Sequence, residues 1–288
     1  MGVESTGKVD FKVGLETYQT WYKVYGDLKN SGHRPVVALH GGPGMSHHYM
    51  LPHKTIFEKA GIPVLFYDQI GNGASSHCPG VPKEFWTPEL FMDELDNILQ
   101  ALGIYDDFDL LGQSWGGMLA AQYAASRTPK GLKRLVIASS PASLPLMITG
   151  IEALLDKFPP GFAETIRKHE AEGTFEAKEY QEATQTFYKK HVCTVDPRWG
   201  PSEFSIVGSL KDWSIVDILH KIPYPTLLIS GSEDEVQEIS CIPFVLNIPK
   251  IKWVEIQNST HLPEFEEPER YFQVILNFLN DTNLMWEI

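Results

Sequence analysis

The pentapeptide Gly112-Gln113-Ser114-Trp115-Gly116 sets a serine between glycines at the spacing G-x-S-x-G. An apolar run, Phe108-Asp109-Leu110-Leu111, leads into it, and a stretch rich in small residues, about 117–126, leads out. The pattern alone is weak, since a glycine-rich strand-to-helix turn without chemistry has the same spelling. In this context it is specific: a strand entering and a helix leaving make a turn so tight that only glycine fits beside the serine, whose hydroxyl then projects above the sheet. Such a hydroxyl is a poor nucleophile until a base takes its proton and a carboxylate orients that base.

In this architecture the acid and then the histidine follow the serine along the chain. The apolar run Pro225-Thr226-Leu227-Leu228-Ile229 passes into Gly231-Ser232-Glu233-Asp234-Glu235. Carboxylates there stand at the C-terminal end of a parallel strand, the edge at which such sheets build their sites. Asp234 is favoured over Glu233 and Glu235 as the orienting acid. His261 follows the next strand in Asn258-Ser259-Thr260-His261, and of ten histidines it is the one in a loop directly after the final strand. The remaining need is a pair of backbone N–H groups aimed at the developing oxyanion. Trp115, next after the nucleophile, supplies one. Gly42, in the loop His40-Gly41-Gly42-Pro43-Gly44 after the first parallel strand, supplies the other. That loop does not read as a phosphate cradle, because it lacks the G-x-x-x-x-G-K-[ST] spacing and a nearby lysine.

The elements that must position these residues alternate. Val9 to Gly14 and Tyr18 to Tyr25 predict an antiparallel hairpin at a sheet edge. Buried strands are expected at Pro35–Leu39, Pro63–Tyr67, Phe108–Leu111 and Leu132–Ala138. Tyr49 to Ala60 can form a helix. Thr87-Pro88-Glu89 opens another with a hydroxyl cap, proline in the first turn and an acid, and Gly103 stops it. This alternation predicts an α/β chain with a mostly parallel sheet and helices on both faces. From about Pro141 to Asp212 no buried strand is expected; Glu164 to Glu172 and Glu176 to Lys190 read as helical. The expected organisation is a core of residues 1–140 and 213–288 with a helical cap, 141–212, inserted into it. Strands resume at Pro225–Ile229 and Ile251–Ile256, and a last helix runs about Glu267 to Leu279.

At 288 residues the chain can bury a full core unaided. A net charge of −13 repels phosphate backbones and anionic membranes, so nucleic acid and membrane surfaces are not expected partners. Cys78, Cys193 and Cys241 are odd in number and far apart, which predicts free thiols in a reducing compartment. No secretory signal or membrane-length apolar run stands out, so a cytoplasmic location is expected. No residue set suggests a metal or an organic cofactor.

His40-Gly-Gly-Pro-Gly44, Asp68-Gln-Ile-Gly-Asn-Gly-Ala-Ser75, Gly112-Gln-Ser-Trp-Gly-Gly117 and the Asp234 and His261 loops together resemble the proline iminopeptidase family of α/β-hydrolases, which also includes broader aminopeptidases and amino-acid amidases. The resemblance implies the α/β-hydrolase fold and a triad of Ser114, Asp234 and His261. It further implies that carboxylates hold the free α-ammonium of the substrate, at positions matched here by Glu203, in Gly200-Pro-Ser-Glu-Phe204, and by Glu235. Two carboxylates around one ammonium would fix its distance from the scissile carbonyl, so that only the first residue's bond meets Ser114. Outside Gly200 to Trp213 the cap matches no specific member, which leaves the acyl preference open; Trp199, Phe204 and Trp213 could line an apolar pocket or form the cap's own core.

The expected activity is hydrolysis of a small peptide or amino-acid amide through an acyl-enzyme on Ser114. An esterase, lactonase or thioesterase would share the triad, but a neutral ester gains nothing from paired carboxylates, and burying them without a cation is costly. A ligand receptor on the same fold would need no triad at all.

Overall fold

The computed structural model describes residues 4–195 and 210–280. Its sheet contains β1 (Glu4–Val13), β2 (Glu16–Tyr25), β3 (Val36–Leu39), β4 (Val64–Tyr67), β5 (Phe108–Gln113), β6 (Leu132–Ala138), β7 (Thr226–Gly231) and β8 (Ile251–Ile256). They lie in the order β1-β2-β4-β3-β5-β6-β7-β8. β1 and β2 form the expected hairpin, longer than the sequence suggests, and β2 runs antiparallel to β4. From β4 to β8 every pairing is parallel.

Every residue of β3, β4, β5 and β7 is buried, which is why these strands read as continuous apolar runs. Their side chains alternate between two layers. Val37, Leu39, Leu65, Tyr67 and Leu110 join the larger core cluster. Val36, Ala38, Val64, Phe66 and Leu111 join the other.

The larger layer packs on α2 (Pro88–Leu102) and α3 (Trp115–Arg127). Thr87 caps α2 as expected, its Oγ1 accepting the Leu90 N–H at 3.2 Å, and Gly103 ends the helix in the left-handed region. Helix α3 is buried from Trp115 through Ala121, so its small residues let it lie against the strands. The opposite layer packs on α1 (Thr55–Ala60) and α9 (Pro268–Asn280). The helix expected over residues 49–60 is regular only in its second half. His47–Lys54 winds more tightly, with Pro52 unable to donate a backbone hydrogen bond.

Between β6 and β7 come α4 (Leu144–Leu155), α5 (Phe162–Glu172) and α6 (Lys178–His191). Ser143 and Ser214 pair in an isolated antiparallel bridge, and Leu144 N–H donates to Trp213 O at 3.0 Å. The segment that follows β6 and the segment that precedes β7 therefore meet here. Trp213 is buried there, its indole donating to Gln122 of α3 at 2.6 Å. Helix α7 (Glu238–Asn247) follows β7, and the short α8 (Pro263–Glu266) follows β8. Among the described residues, no helix is long and apolar enough to cross a membrane.

Candidate active site

Ser114 joins the buried end of β5 to the first turn of α3 at φ 55 and ψ −125. A residue with a Cβ occupies that region at a cost of about 1–3 kcal/mol, and only where its surroundings impose it. Here Ser114 N–H donates to Ala138 O of β6 at 2.9 Å, while its carbonyl accepts from Gly117 and Met118 at 2.8 and 3.1 Å. The flanking glycines are required by close approach. A Cβ on Gly112 would lie 2.1 Å from Gly116 O, and one on Gly116 would lie 2.2 Å from Leu39 O.

Asp234 and His261 come together because β7 and β8 are adjacent and parallel, so the loops at their C-terminal ends meet. His261 Nδ1 lies 2.8 Å from Asp234 Oδ1, which also accepts the Val236 N–H at 2.8 Å. A carboxylate only accepts, so the imidazole donates from Nδ1 and a neutral ring carries its lone pair on Nε2. Glu233 is exposed and contributes its carbonyl to His191 Nδ1 at 2.8 Å. Glu235 is 1% exposed, and its N–H donates to His191 O at 3.1 Å. The C-terminal end of α6 thus rests on the loop that bears both acids. Glu203, with Trp199 and Phe204, lies outside the described residues.

A buried polar network that the sequence reading does not include ties these parts together. Gly41 N–H donates to Tyr49 Oη, and Tyr49 donates on to Gln113 Oε1 at 2.8 Å. Gln113 Nε2 then donates to the backbone carbonyl of His261 at 3.0 Å. One side chain, in the variable position before Ser114, therefore connects the His40–Gly44 loop to the loop carrying the histidine. A second link uses Gln69, which accepts the Trp115 indole N–H at 2.8 Å and donates to His40 O at 2.9 Å. A Cβ on Gly41 would be 3.0 Å from the Ser114 Cβ, so this loop abuts the serine. Within it Gly41 N–H is committed to Tyr49, Pro43 has no N–H, and Gly42 sits at φ 113.

Asp68 anchors the other side of that loop, accepting the N–H and ring Nδ1 of His47 at 2.7 and 2.8 Å and the Ala74 N–H at 2.8 Å. Burial alone would raise the Asp68 carboxyl, but the His47 ring and these backbone donors outweigh it and hold it below its ordinary value. Glu94 of α2 is different. Burial dominates and pushes it up to about 8, despite bonds from Thr20 Oγ1 and Ile70 N–H.

His40 Nδ1 lies 2.9 Å from Gly41 O, and its Nε2 accepts the Gln69 N–H at 2.9 Å. Only the neutral Nδ1–H tautomer satisfies both, and burial lowers its pKa to about 4. Buried His53 is alike, with Nδ1 3.0 Å from Met50 O and Nε2 2.9 Å from Tyr271 Oη, and is also lowered to about 4. Each ring titrates near 6.5 once unfolded, so the unfolded chain binds more protons between about pH 6.5 and 4. Each therefore removes stability as pH falls through that window, by about 3 kcal/mol in full. In urea unfolding, His53→Gln should lose about 3 kcal/mol less than wild type between pH 6.5 and 4. Equal losses in the two proteins would contradict this assignment.

Residues 34–268 match the family model described as the alpha/beta hydrolase fold. The chain is 30% identical over 281 residues to a proline iminopeptidase of Lactobacillus delbrueckii subsp. lactis, covering 91% of this chain and 95% of that protein. The crystal structure of VinJ superposes with a TM-score of 0.88 at 42% identity, covering 95% of this chain and 98% of VinJ. That of a proline iminopeptidase from Mycobacterium smegmatis superposes at 0.85 with 36% identity, covering 96% and 97% of the two chains. The eight-stranded, mostly parallel sheet and these relationships place the chain in the α/β-hydrolase family, among the proline iminopeptidases and their relatives.

Proposed function

We propose that the protein is a serine hydrolase that cleaves the amide bond after a residue with a free amino group, in small peptides or amino-acid amides. Ser114 is the nucleophile, His261 the base and then the acid, and Asp234 the residue that orients the ring. His261 Nε2 takes the Ser114 proton as Oγ attacks the carbonyl carbon. The N–H groups of Trp115 and Gly42 receive the resulting oxyanion. His261 then protonates the departing amine, water enters by the same route, and hydrolysis of the acyl-enzyme restores the serine. Trp115 suits its role because it is the first residue of α3, where a backbone N–H has no acceptor within the helix. Gly42 suits its role because it is the next N–H in the loop after Gly41, whose own N–H is taken by Tyr49.

The observation that carries the substrate reading is Glu235, a carboxyl buried directly beside the acid paired to His261. With Glu203 it would receive the substrate's ammonium, and the ion pair fixes which bond reaches Ser114. On this reading the insertion serves as a cap, which meets the amine-binding loop at His191, the last residue of α6, through Glu233 O and the Glu235 N–H. A panel of aminoacyl anilides with free and acetylated amino groups tests the proposal. Turnover restricted to the free-amine forms is expected, and equal turnover of both would overturn it in favour of an esterase-like enzyme.

The Tyr49–Gln113 link positions the oxyanion loop relative to the base. Tyr49→Phe leaves the Gly41 N–H and Gln113 Oε1 without this partner, at a cost of about 1–3 kcal/mol in stability. Its kcat should fall about tenfold with KM nearly unchanged, since the misplacement acts on the transition state. A rise in KM alone, at constant kcat, would contradict a positioning role.

A further inference from the structure

Asp234 and Glu235 are neighbours in the chain, but different elements hold them. The Asp234 N–H donates to Gly231 O of β7 at 3.3 Å, and its Oδ1 accepts from Val236 and meets His261. Just before it, the Glu233 N–H donates to Ser259 O in the loop after β8 at 2.9 Å. The Glu235 N–H instead reaches α6, donating to the carbonyl of His191 at 3.1 Å. The same residue touches this loop a second time, with His191 Nδ1 2.8 Å from the Glu233 carbonyl. A carbonyl only accepts, so Nδ1 carries the hydrogen, and burial lowers the ring's pKa and keeps it neutral. Nε2 is then a bare acceptor, buried and without a hydrogen-bond partner among the described residues. Phe158 and Phe187 lie against the ring, with centroids 5.9 and 5.0 Å away. An apolar side chain would fill this place without stranding an acceptor, so the imidazole is explained by the bond it does make, to Glu233. Further along the chain, Thr194 N–H and Oγ1 both lie 2.7 Å from Glu266 Oε1, while Glu266 Oε2 accepts the Thr260 N–H at 2.6 Å, next to His261. The end of α6 thus reaches the Asp234 loop through His191 and the His261 loop by way of Glu266.

We infer that His191 is a positioning residue for amine recognition: its ring bond to Glu233 and its carbonyl bond to Glu235 set the Glu235 carboxyl where the substrate's ammonium meets it. The inference rests on the proposed amine site at Glu235. The two bonds bracket Asp234 but fall on its neighbours, and Asp234 keeps its own bonds to β7, Val236 and His261. Loosening the end of α6 therefore displaces Glu235 more than it displaces the acid that orients the base. His191 acts on how the ammonium is held, and the proton transfer at Ser114 is left to Asp234 and His261.

The test measures kcat/KM on alanine 4-nitroanilide and on 4-nitrophenyl acetate in wild type, His191→Phe and His191→Asn. Phe keeps an aromatic ring against Phe158 and Phe187 but cannot donate, whereas Asn loses the ring and can still donate to the Glu233 carbonyl. His191→Phe should lower the anilide value about tenfold and the ester value less than about threefold. His191→Asn should stay within about threefold of wild type on both substrates. In a Glu235→Gln background, His191→Phe should cost the anilide less than about threefold more, because the two changes remove one interaction. Equal losses on anilide and ester, an undiminished loss in the Glu235→Gln background, or a Phe variant that matches wild type where Asn does not would each overturn the inference and leave His191 as packing. If His191→Phe does not fold, the Asn variant decides alone, and a loss on the anilide as large as that of Glu235→Gln overturns the inference. Acetylating the alanine amino group separates the positioning role from the function it rests on. If wild type cleaves the acetylated anilide as well as the free one, the amine site fails and this inference fails with it. If it cleaves only the free form but His191→Phe leaves that rate unchanged, the positioning role alone is wrong.

Discussion

Ser114→Ala lowers kcat on free-amine anilides by about 10⁴-fold or more, because removing the nucleophile disables base and acid together. The fold should be unaffected. Alanine keeps the Cβ, and the bonds that hold position 114 at φ 55 are made by its backbone N–H and carbonyl. A companion variant separates chemistry from strain. Ser114→Gly is equally inactive, yet it relieves the cost of a Cβ in this region and should be more stable than Ser114→Ala by about 1 kcal/mol. Turnover retained in either variant would remove Ser114 from the mechanism. Lower stability of the glycine variant would show that the elbow is not strained.

Glu235→Gln should cost free-amine substrates roughly 10–150-fold in kcat/KM, the loss expected when a hydrogen bond to a charged group, about 1.5–3 kcal/mol, becomes neutral. A simple acetyl ester has no ammonium to lose and should change less than about threefold, since Gln keeps the shape of the side chain. Glu203→Gln should follow the same split. Equal losses on both substrate types would mean that Glu235 supports the Asp234 loop and does not meet the substrate. Its N–H bond to His191 O is a backbone contact that both forms keep.

The parts of this account legible in the sequence are those set by local rules. Thr87 and Gly103 delimit α2 because a hydroxyl caps one end and a left-handed glycine ends the other. The buried strands are visible because helices cover both faces of the sheet and leave them no polar side. Helix α7 is not legible: Pro243 stands in its middle and reads as a break, yet ten residues remain helical around it. The acid loop is intermediate. Glu233, Asp234 and Glu235 are consecutive carboxylates of which the sequence favours Asp234, and the meeting of the β7 and β8 ends supplies the contact, with Asp234 bonded to His261 and Glu233 facing solvent. The Tyr49, Gln113 and Gln69 network is long-range by nature, with Gln113 reaching His261 across 148 residues. Its one trace in the sequence is the presence of polar residues next to buried strands, where an apolar side chain would otherwise pack.

The central claim is that Ser114 takes the acyl group of a substrate held by its free amine. A diphenyl 1-aminoalkylphosphonate, which phosphonylates an activated serine, tests both halves when it is compared with its N-acetyl form. The free-amine reagent should inactivate the enzyme at least about 10-fold faster, and peptide mass spectrometry should find the adduct on Ser114. Equal inactivation rates for the two reagents, or an adduct on any other residue, would contradict the account.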